Sequence, residues 1–132
     1  MGGRILKLKN LWLIIGAALV VLVIVVSLIP NPPNPPQFKG SDKAGHFSAY
    51  AFMMLWFAQI YAKNRIRRVI ALAFIVLGII LECLQGMSGY RSFEYADMGA
   101  NTAGVLCALL LAQTRLSRSL AAAERLLFRS RA

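Results

Sequence analysis

The chain has a single histidine, His46, and four of its five acidic residues fall on the side of the predicted membrane where that histidine lies. Ionisable side chains in or beside apolar helices are costly unless they are paired, hydrated or bound to a ligand. An imidazole among carboxylates can transfer protons or form part of a metal site. We therefore look for the functional site on this side of the membrane. The four acids are Asp42, Glu82, Glu94 and Asp97.

The spacing of the polar residues predicts that three helices bring them together. Asp42, His46 and Tyr50 recur at intervals of four, so they share one face of a helix. Glu82 and Gln85 are three apart and share a face of the next helix. The residues expected at the site, at one depth in the membrane, are Asp42, Lys43, His46, Tyr50, Glu82, Gln85, Arg91, Asp97 and Asn101.

Three uses of such a site remain open. Lys43 and Arg91 beside several acceptors favour binding of a lipid headgroup or a lipid-linked glycan. His46 with Glu82 or Asp42 as its orienting carboxylate would make the protein an enzyme, or would form part of a divalent metal site. His46 and Glu82 are then the candidate catalytic residues. A network that only fixes helix register, with Arg91 paired to a carboxylate, is the structural alternative, and the protein would then be a non-catalytic structural or partner-binding membrane subunit. One histidine is few for a zinc site, and we assign no metal or cofactor.

The composition of the chain places this site in a membrane. Hydrophobic residues make up 58% of its 132 residues. Residues 11–29 carry no charge and span about 28 Å as a helix, close to the thickness of the hydrocarbon layer. Their length and the lack of a small-residue cleavage site predict an uncleaved span. We predict one all-α domain, residues 1–132, forming a four-helix transmembrane bundle. The expected spans are 11–29, 44–62, 69–87 and 93–112.

The distribution of Lys and Arg predicts the orientation of the bundle. The N-terminus, the second connecting segment and the C-terminal tail hold 12 of these residues, and the other two connecting segments hold three. The positive-inside rule then places both termini in the cytoplasm and the His46 side outside. Cytoplasmic anchoring also accounts for the net charge of +10, so we expect no nucleic-acid partner.

Two further segments flank the predicted bundle. All five prolines lie between Pro30 and Pro36, which predicts a stiff, extended spacer over residues 30–40 on the outer side. In the tail, residues 113–132, leucines recur at helical spacing among arginines. This pattern predicts a basic amphipathic helix on the inner leaflet.

Three motifs in this order resemble the VanZ-like family of small bacterial membrane proteins. The resemblance covers residues 41–112 and implies a multi-pass protein of the bacterial cytoplasmic membrane. The family takes its name from a teicoplanin-resistance factor, so the resemblance links the chain to glycopeptide susceptibility without supplying a biochemical activity. We expect membrane lipids or a lipid-linked envelope precursor as the partner, and no protein partner can be named. The motifs are Asp42-Lys43-x-x-His46-x-x-x-Tyr50, Glu82-x-x-Gln85 and Arg91-x5-Asp97-x3-Asn101-x2-Gly104.

Overall fold

Apolar segments separated by short polar ones fold into helices in the computed structural model, which describes residues 6–30 and 39–129. An apolar solvent favours helices because each backbone N–H and C=O can be paired within its own segment. A 3-10 turn at Arg115–Arg118 joins the last two helices. The predicted all-α class is confirmed. The helices are α1 Lys9–Leu28, α2 Ser41–Ile60, α3 Asn64–Met87, α4 Tyr95–Leu111 and α5 Ser119–Arg129.

Two of the helices, α1 and α3, are long and apolar enough to cross a membrane, which indicates a membrane protein. The pair α4 and α5 passes the same test as one span with a 76° bend. The described residues therefore give two spans, or three with the bent pair, where the sequence predicts four. Helix α2 falls short because its composition includes polar residues such as Asp42, Lys43 and Gln59.

Helix α2 is central and packs against α1, α3 and α4, most extensively against α4. Gly104 permits the close crossing of α4 over α2, since an added Cβ would lie 2.3 Å from the backbone oxygen of Phe47. Small residues at such crossings let membrane helices approach each other closely. The buried core around α2 consists of Tyr50, Met53, Met54, Ala58, Ala71, Phe74, Val105, Ala108 and Ala112.

The helices alternate in direction, so the N-termini of some helices and the C-termini of others lie together at each end of the bundle. The His46 end contains the C-termini of α1 and α3 and the N-termini of α2 and α4. The opposite end, which we call the Arg67 end, contains the other termini together with α5. The predicted tail helix is thus present. Its Glu124 is buried against the start of α1, whereas Leu126 and Leu127 are exposed.

The structure corrects one sequence prediction and does not describe the residues of another. Helix α3 begins at Asn64, five residues before the predicted span, so Arg65, Arg67 and Arg68 belong to a helix and not to a connecting segment. Arg67, one of the basic residues counted in the second connecting segment as cytoplasmic anchoring charge, is moreover buried. The predicted proline-rich spacer falls largely on residues 31–38, which lie outside the described part of the chain.

Candidate functional site

The N-termini of α2 and α4 lie side by side at the His46 end, and Lys43 joins their acidic residues. Its Nζ forms ion pairs with the carboxylates of Glu94 and Asp97, and it lies 3.5 Å from Asp42 Oδ2. Carboxylates in the first turn of a helix are also stabilised by the positive end of the helix dipole. Lys43 is therefore engaged by three carboxylates and is not a free cation.

His46 is held between α2 and α4 by Asn101. Its Nδ1 lies 3.0 Å from Asn101 Oδ1, and because an amide oxygen only accepts, Nδ1 donates this hydrogen bond; in the neutral imidazole Nε2 then carries the lone pair. Nε2 lies 3.5 Å from Asp97 Oδ2 and 3.8 Å from Asp42 Oδ1. The side chain of Asp97 is 7% exposed and that of Asp42 is 61% exposed. The imidazole thus lies between a buried carboxylate and one that is open to the surface.

Glu82 is the most deeply buried acid, with 1% of its surface exposed. Its Oε1 accepts a hydrogen bond of 2.8 Å from the N–H of Glu94, the residue immediately before α4. Its Oε2 has no hydrogen-bond partner among the described residues. The predicted use of Glu82 to orient His46 does not match this arrangement, because Asn101 binds the imidazole and Glu82 binds the start of α4.

Gln85 and Arg91 were expected at the same site but contact α1. Gln85 Nε2 donates to the carbonyl oxygen of Ser27 at 2.8 Å, and Arg91 Nη1 lies 3.5 Å from the same oxygen. The hydroxyl of Tyr90 donates to the carbonyl oxygen of Leu28 at 2.6 Å. The last carbonyls of a helix lack partners within the helix. These three side chains therefore cap α1, and Arg91 does not form the predicted pair with a carboxylate.

Tyr50 lies beneath the acidic residues and is 2% exposed. Both Tyr50 and Asn101 pack onto Gly78 of α3, where an added Cβ would lie 3.3 Å from atoms of each side chain. The absence of a side chain at this position lets α2, α3 and α4 meet closely. Tyr50 thus supports the site from below, as its predicted position on the His46 face of α2 requires.

We define the carboxylate cluster as the residues that the structure brings together at this end. With four carboxylates, one lysine and a neutral histidine, its formal charge is −3. Sequence reasoning placed Glu94 on the correct side but not in the site. Nor did it predict that one potential metal-ligand atom from each of Asp42, His46 and Asp97 lies within 4.8 Å of the others. Spacing along the chain does not give distances between helices. The cluster consists of Asp42, Lys43, His46, Glu82, Glu94, Asp97 and Asn101.

Exposed aromatic side chains lie at the same level as the carboxylate cluster. Glu94 stands between Phe93 and Tyr95, whose rings form an edge-on contact with centroids 4.8 Å apart. Phe93 is 38% exposed and Tyr95 is 80% exposed. Tryptophan and tyrosine in membrane proteins concentrate at the level of the lipid headgroups. The exposed Tyr95 is therefore consistent with this end of the bundle lying at that level.

Comparison with protein-family models, with curated proteins and with solved structures gave no match to this chain. The resemblance to the VanZ-like family accordingly rests on the three motifs, and membership of that family stays a prediction. The structure divides those motifs between two tasks, because Gln85 and Arg91 bind α1 whereas Asp42, His46 and Asp97 converge.

Proposed function

We propose that the protein is a VanZ-like, multi-pass protein of the bacterial cytoplasmic membrane that binds the headgroup of an envelope lipid or lipid-linked precursor at the carboxylate cluster. The supporting observation is the position of Glu94. Its carboxylate pairs with Lys43 inside the cluster, while the adjacent Phe93 and Tyr95 are exposed at a level typical of lipid headgroups. A headgroup beside these rings would reach the cluster without leaving the membrane surface.

The charge of the cluster determines which headgroup groups it binds directly. Lys43 is engaged by three carboxylates, so its ammonium is not available to an anion. Ionised carboxylates accept hydrogen bonds and cannot donate them. The buried Oε2 of Glu82 is one acceptor without a partner among the described residues. Hydroxyl groups of a sugar and ammonium groups of a phospholipid are therefore the groups expected to bind.

A bundle of four spans is part of this proposal. Helix α2 includes polar residues, but α1, α3 and α4 pack against it, so its polar face need not meet lipid. Helix α4 has 17 residues and is about 26 Å long, near the thickness of the hydrocarbon layer. The distribution of Lys and Arg supports cytoplasmic termini.

Thiol labelling in intact cells tests this topology. The two native cysteines are first replaced, and a single cysteine is then introduced at Ser92 or at Asn64. Both positions are exposed and lie at opposite ends of the bundle. A membrane-impermeant reagent should label the cysteine at Ser92 and not the one at Asn64. Labelling only at Asn64 would mean that the orientation is the opposite of the proposed one. Labelling at both positions would place them on the same side of the membrane and contradict a single span between them.

Mass spectrometry of lipids retained by the gently purified protein tests headgroup binding. The wild type should be enriched in one headgroup class relative to the total membrane extract. Asp42→Asn and Glu94→Gln should lose this enrichment, because each removes an accessible carboxylate of the cluster. Glu124→Gln, an acid at the opposite end, serves as the control and should keep it. Wild-type lipids that match the extract would contradict headgroup binding.

The geometry of His46 favours a second candidate function, a membrane-embedded enzyme. Asn101 fixes the imidazole so that the lone pair on Nε2 faces Asp97 Oδ2 at 3.5 Å. A base held in this way can accept a proton from a headgroup hydroxyl. In that case His46→Gln should retain the enriched lipid class but abolish the envelope phenotype, including any change in glycopeptide susceptibility. If His46→Gln keeps the full envelope phenotype, a catalytic role of His46 is excluded.

A further inference from the structure

We infer that the carboxylate cluster binds one divalent metal ion through Asp42, Nε2 of His46 and Asp97. One ligand atom from each of these residues lies within 4.8 Å of the others. The distances from Nε2 to the two carboxylates, 3.5 and 3.8 Å, are long for hydrogen bonds. Neighbouring ligands on a metal with bonds of about 2.1 Å are roughly 3 to 3.4 Å apart. Small side-chain movements would therefore complete the coordination.

The contact between His46 and Asn101 prepares the imidazole for a metal. A histidine that ligates through one nitrogen donates the hydrogen on its other nitrogen to an oxygen of the protein. Nδ1 meets Asn101 Oδ1 at 3.0 Å, which leaves the lone pair of Nε2 directed at the two carboxylates. This is the tautomer that coordination through Nε2 requires.

The charge and burial of the cluster provide an independent reason for a cation. Asp97 is 5% exposed, and its Oδ1 is already paired with the ammonium of Lys43. Glu82 Oε2, also buried, has no hydrogen-bond partner in the described residues. Buried carboxylates are costly unless positive charge or hydrogen bonds compensate them. A divalent ion would change the formal charge of the cluster from −3 to about −1.

The donor set favours a metal of the Mn²⁺ type. Carboxylate oxygens suit Mg²⁺, Ca²⁺ and Mn²⁺, whereas imidazole suits transition metals. A set of two carboxylates and one imidazole therefore favours Mn²⁺, which accepts both kinds of ligand. Three protein ligands leave further coordination positions for water or for a ligand oxygen. Asp42 has the most exposed side chain of the three residues, so a ligand would reach these positions from the side of Asp42.

A bound metal would also let the cluster accept a phosphate. Without it, the formal charge of −3 repels an anionic group, and Lys43 is already engaged. With it, a phosphate oxygen of a lipid or lipid-linked precursor would coordinate the metal while hydroxyl or ammonium groups meet the carboxylates. This role rests on the proposed function, whereas the metal site itself does not.

Titration of the full-length protein with Mn²⁺ alone, monitored by electron paramagnetic resonance, tests the site. The protein is purified in detergent with an affinity tag that lacks histidine. One Mn²⁺ should bind per chain, and Asp42→Asn and His46→Gln should each weaken binding at least tenfold. The side chain of Asp42 is 61% exposed, so its substitution leaves the packing intact. Glu124→Gln, at the opposite end, should bind as the wild type does.

The single histidine makes a direct test of coordination possible. In protein labelled with ¹⁵N-histidine, bound Mn²⁺ should show a hyperfine coupling to ¹⁵N that can come only from His46. Mn²⁺ binding without this coupling, or with unchanged affinity in Asp42→Asn, would overturn the metal site. Both measurements remain decisive even if His46→Gln fails to fold.

Lipid mass spectrometry with and without EDTA separates the metal site from the proposed function. Loss of a phosphate-bearing lipid on chelation, and its return with Mn²⁺, would support the bridging role. Lipid retention that EDTA does not change would overturn that role. Normal Mn²⁺ binding with no enriched lipid would overturn the proposed function and leave the metal site in place.

Discussion

The two ends of the bundle bury polar side chains in opposite ways. At the Arg67 end, the guanidinium meets backbone carbonyls and forms hydrogen bonds of 2.6 to 3.1 Å with Ala58, Tyr61 and Ala112. These carbonyls lie at the C-terminal ends of α2 and α4, where the helix dipole also favours a cation. At the His46 end, by contrast, three of the four carboxylates share one lysine, and the buried Oε2 of Glu82 has no hydrogen-bond partner among the described residues.

Gln59 and Glu124 follow the same pattern as Arg67, and we call the three residues the docking network. Gln59 Oε1 accepts from the hydroxyl of Ser119 at 2.6 Å and from the N–H of Leu120 at 2.9 Å, which fixes the start of α5. Glu124 accepts from the indole of Trp12 at 2.6 Å and from two N–H groups before α1 at 2.8 and 3.0 Å. Within the docking network, Gln59 and Glu124 therefore attach α5 to the bundle, and Arg67 joins the ends of α2 and α4.

The difference between the ends separates a structural role from a functional one. Buried polar groups that serve the fold find complementary partners in the protein, because each unmade hydrogen bond reduces stability. The docking network meets that requirement with backbone groups. The carboxylate cluster contains excess charge of one sign, which a fold does not need and a ligand can use. Substitutions at the two ends should therefore affect different properties.

The largest effect is expected from Arg67→Ala. It removes the donors to three backbone carbonyls inside the protein, and each unsatisfied group costs about 1–3 kcal/mol. We expect the free energy of unfolding to fall by about 3 kcal/mol or more, measured as thermal melting in detergent. Arg68→Ala, next to it and exposed, is the matched control and should melt like the wild type. Equal melting of both variants would remove the structural role of Arg67.

Gly104→Ala should be the next most harmful change, because it separates the helices that carry the cluster. The new Cβ would lie 2.3 Å from Phe47 O, and overpacking of this kind costs about 1–3 kcal/mol. The control is Gly99→Ala on the same helix, where nothing lies within 4 Å of an added Cβ. Gly99→Ala should keep or raise the melting temperature, since alanine favours helices. The prediction fails if Gly104→Ala is equally tolerated.

Glu124 should make stability depend on pH. Burial opposes its ionisation, but hydrogen bonds from Trp12, Leu8 and Lys7 outweigh that effect and hold the pKa of the carboxyl below its ordinary value of 4.5. A depressed pKa stabilises the folded protein above about pH 4.5, and this contribution is lost as pH falls through the folded-state pKa. At pH 7, Glu124→Gln should cost about 1–3 kcal/mol.

The comparison of melting curves from pH 7 to pH 3 isolates Glu124 from the four other acids. The difference in melting temperature between the wild type and Glu124→Gln should shrink as the pH falls, because protonation removes the charge that the substitution removes. If the difference in melting temperature stays constant or grows toward low pH, the charge of the Glu124 carboxylate does not stabilise the attachment of α5 to the bundle.

The smallest effect on stability is expected at the His46 end. Asp42→Asn changes an exposed side chain in a cluster with excess negative charge, so unfolding free energy should stay within about 0.5 kcal/mol of the wild type. The same variant should lose the enriched lipid class described above. A clear loss of stability in Asp42→Asn would mean that the cluster serves the fold as the docking network does.

The sequence predicts the convergence at the His46 end because helical periodicity is a local property. Intervals of four place Asp42, His46 and Tyr50 on one face of α2, and the structure keeps them there. Residues at the start of α4 then reach the same place once α2 and α4 pack together. The all-α class likewise follows from apolar segments that leave helices as the available backbone structure.

Contacts between helices were beyond sequence reasoning because spacing along the chain does not determine which helix faces which. Gln85 and Arg91 share the predicted depth, yet the C-terminus of α1 lies nearer and binds them. Arg67 looks like an anchoring charge until α2 and α4 present their terminal carbonyls to it. The number of spans stays a prediction for the same reason, since composition does not show whether the polar face of α2 points toward the other helices.

The sequence by itself determined the helices, the membrane class and the residue types that could form a site, since these depend on composition and on periodicity along one segment. The tertiary structure decided which polar residues meet. It divided them into helix caps, a docking network and a carboxylate cluster, because hydrogen bonds and ion pairs depend on distances between segments. The three potential ligand atoms of Asp42, His46 and Asp97 come from two helices and become neighbours only when those helices pack.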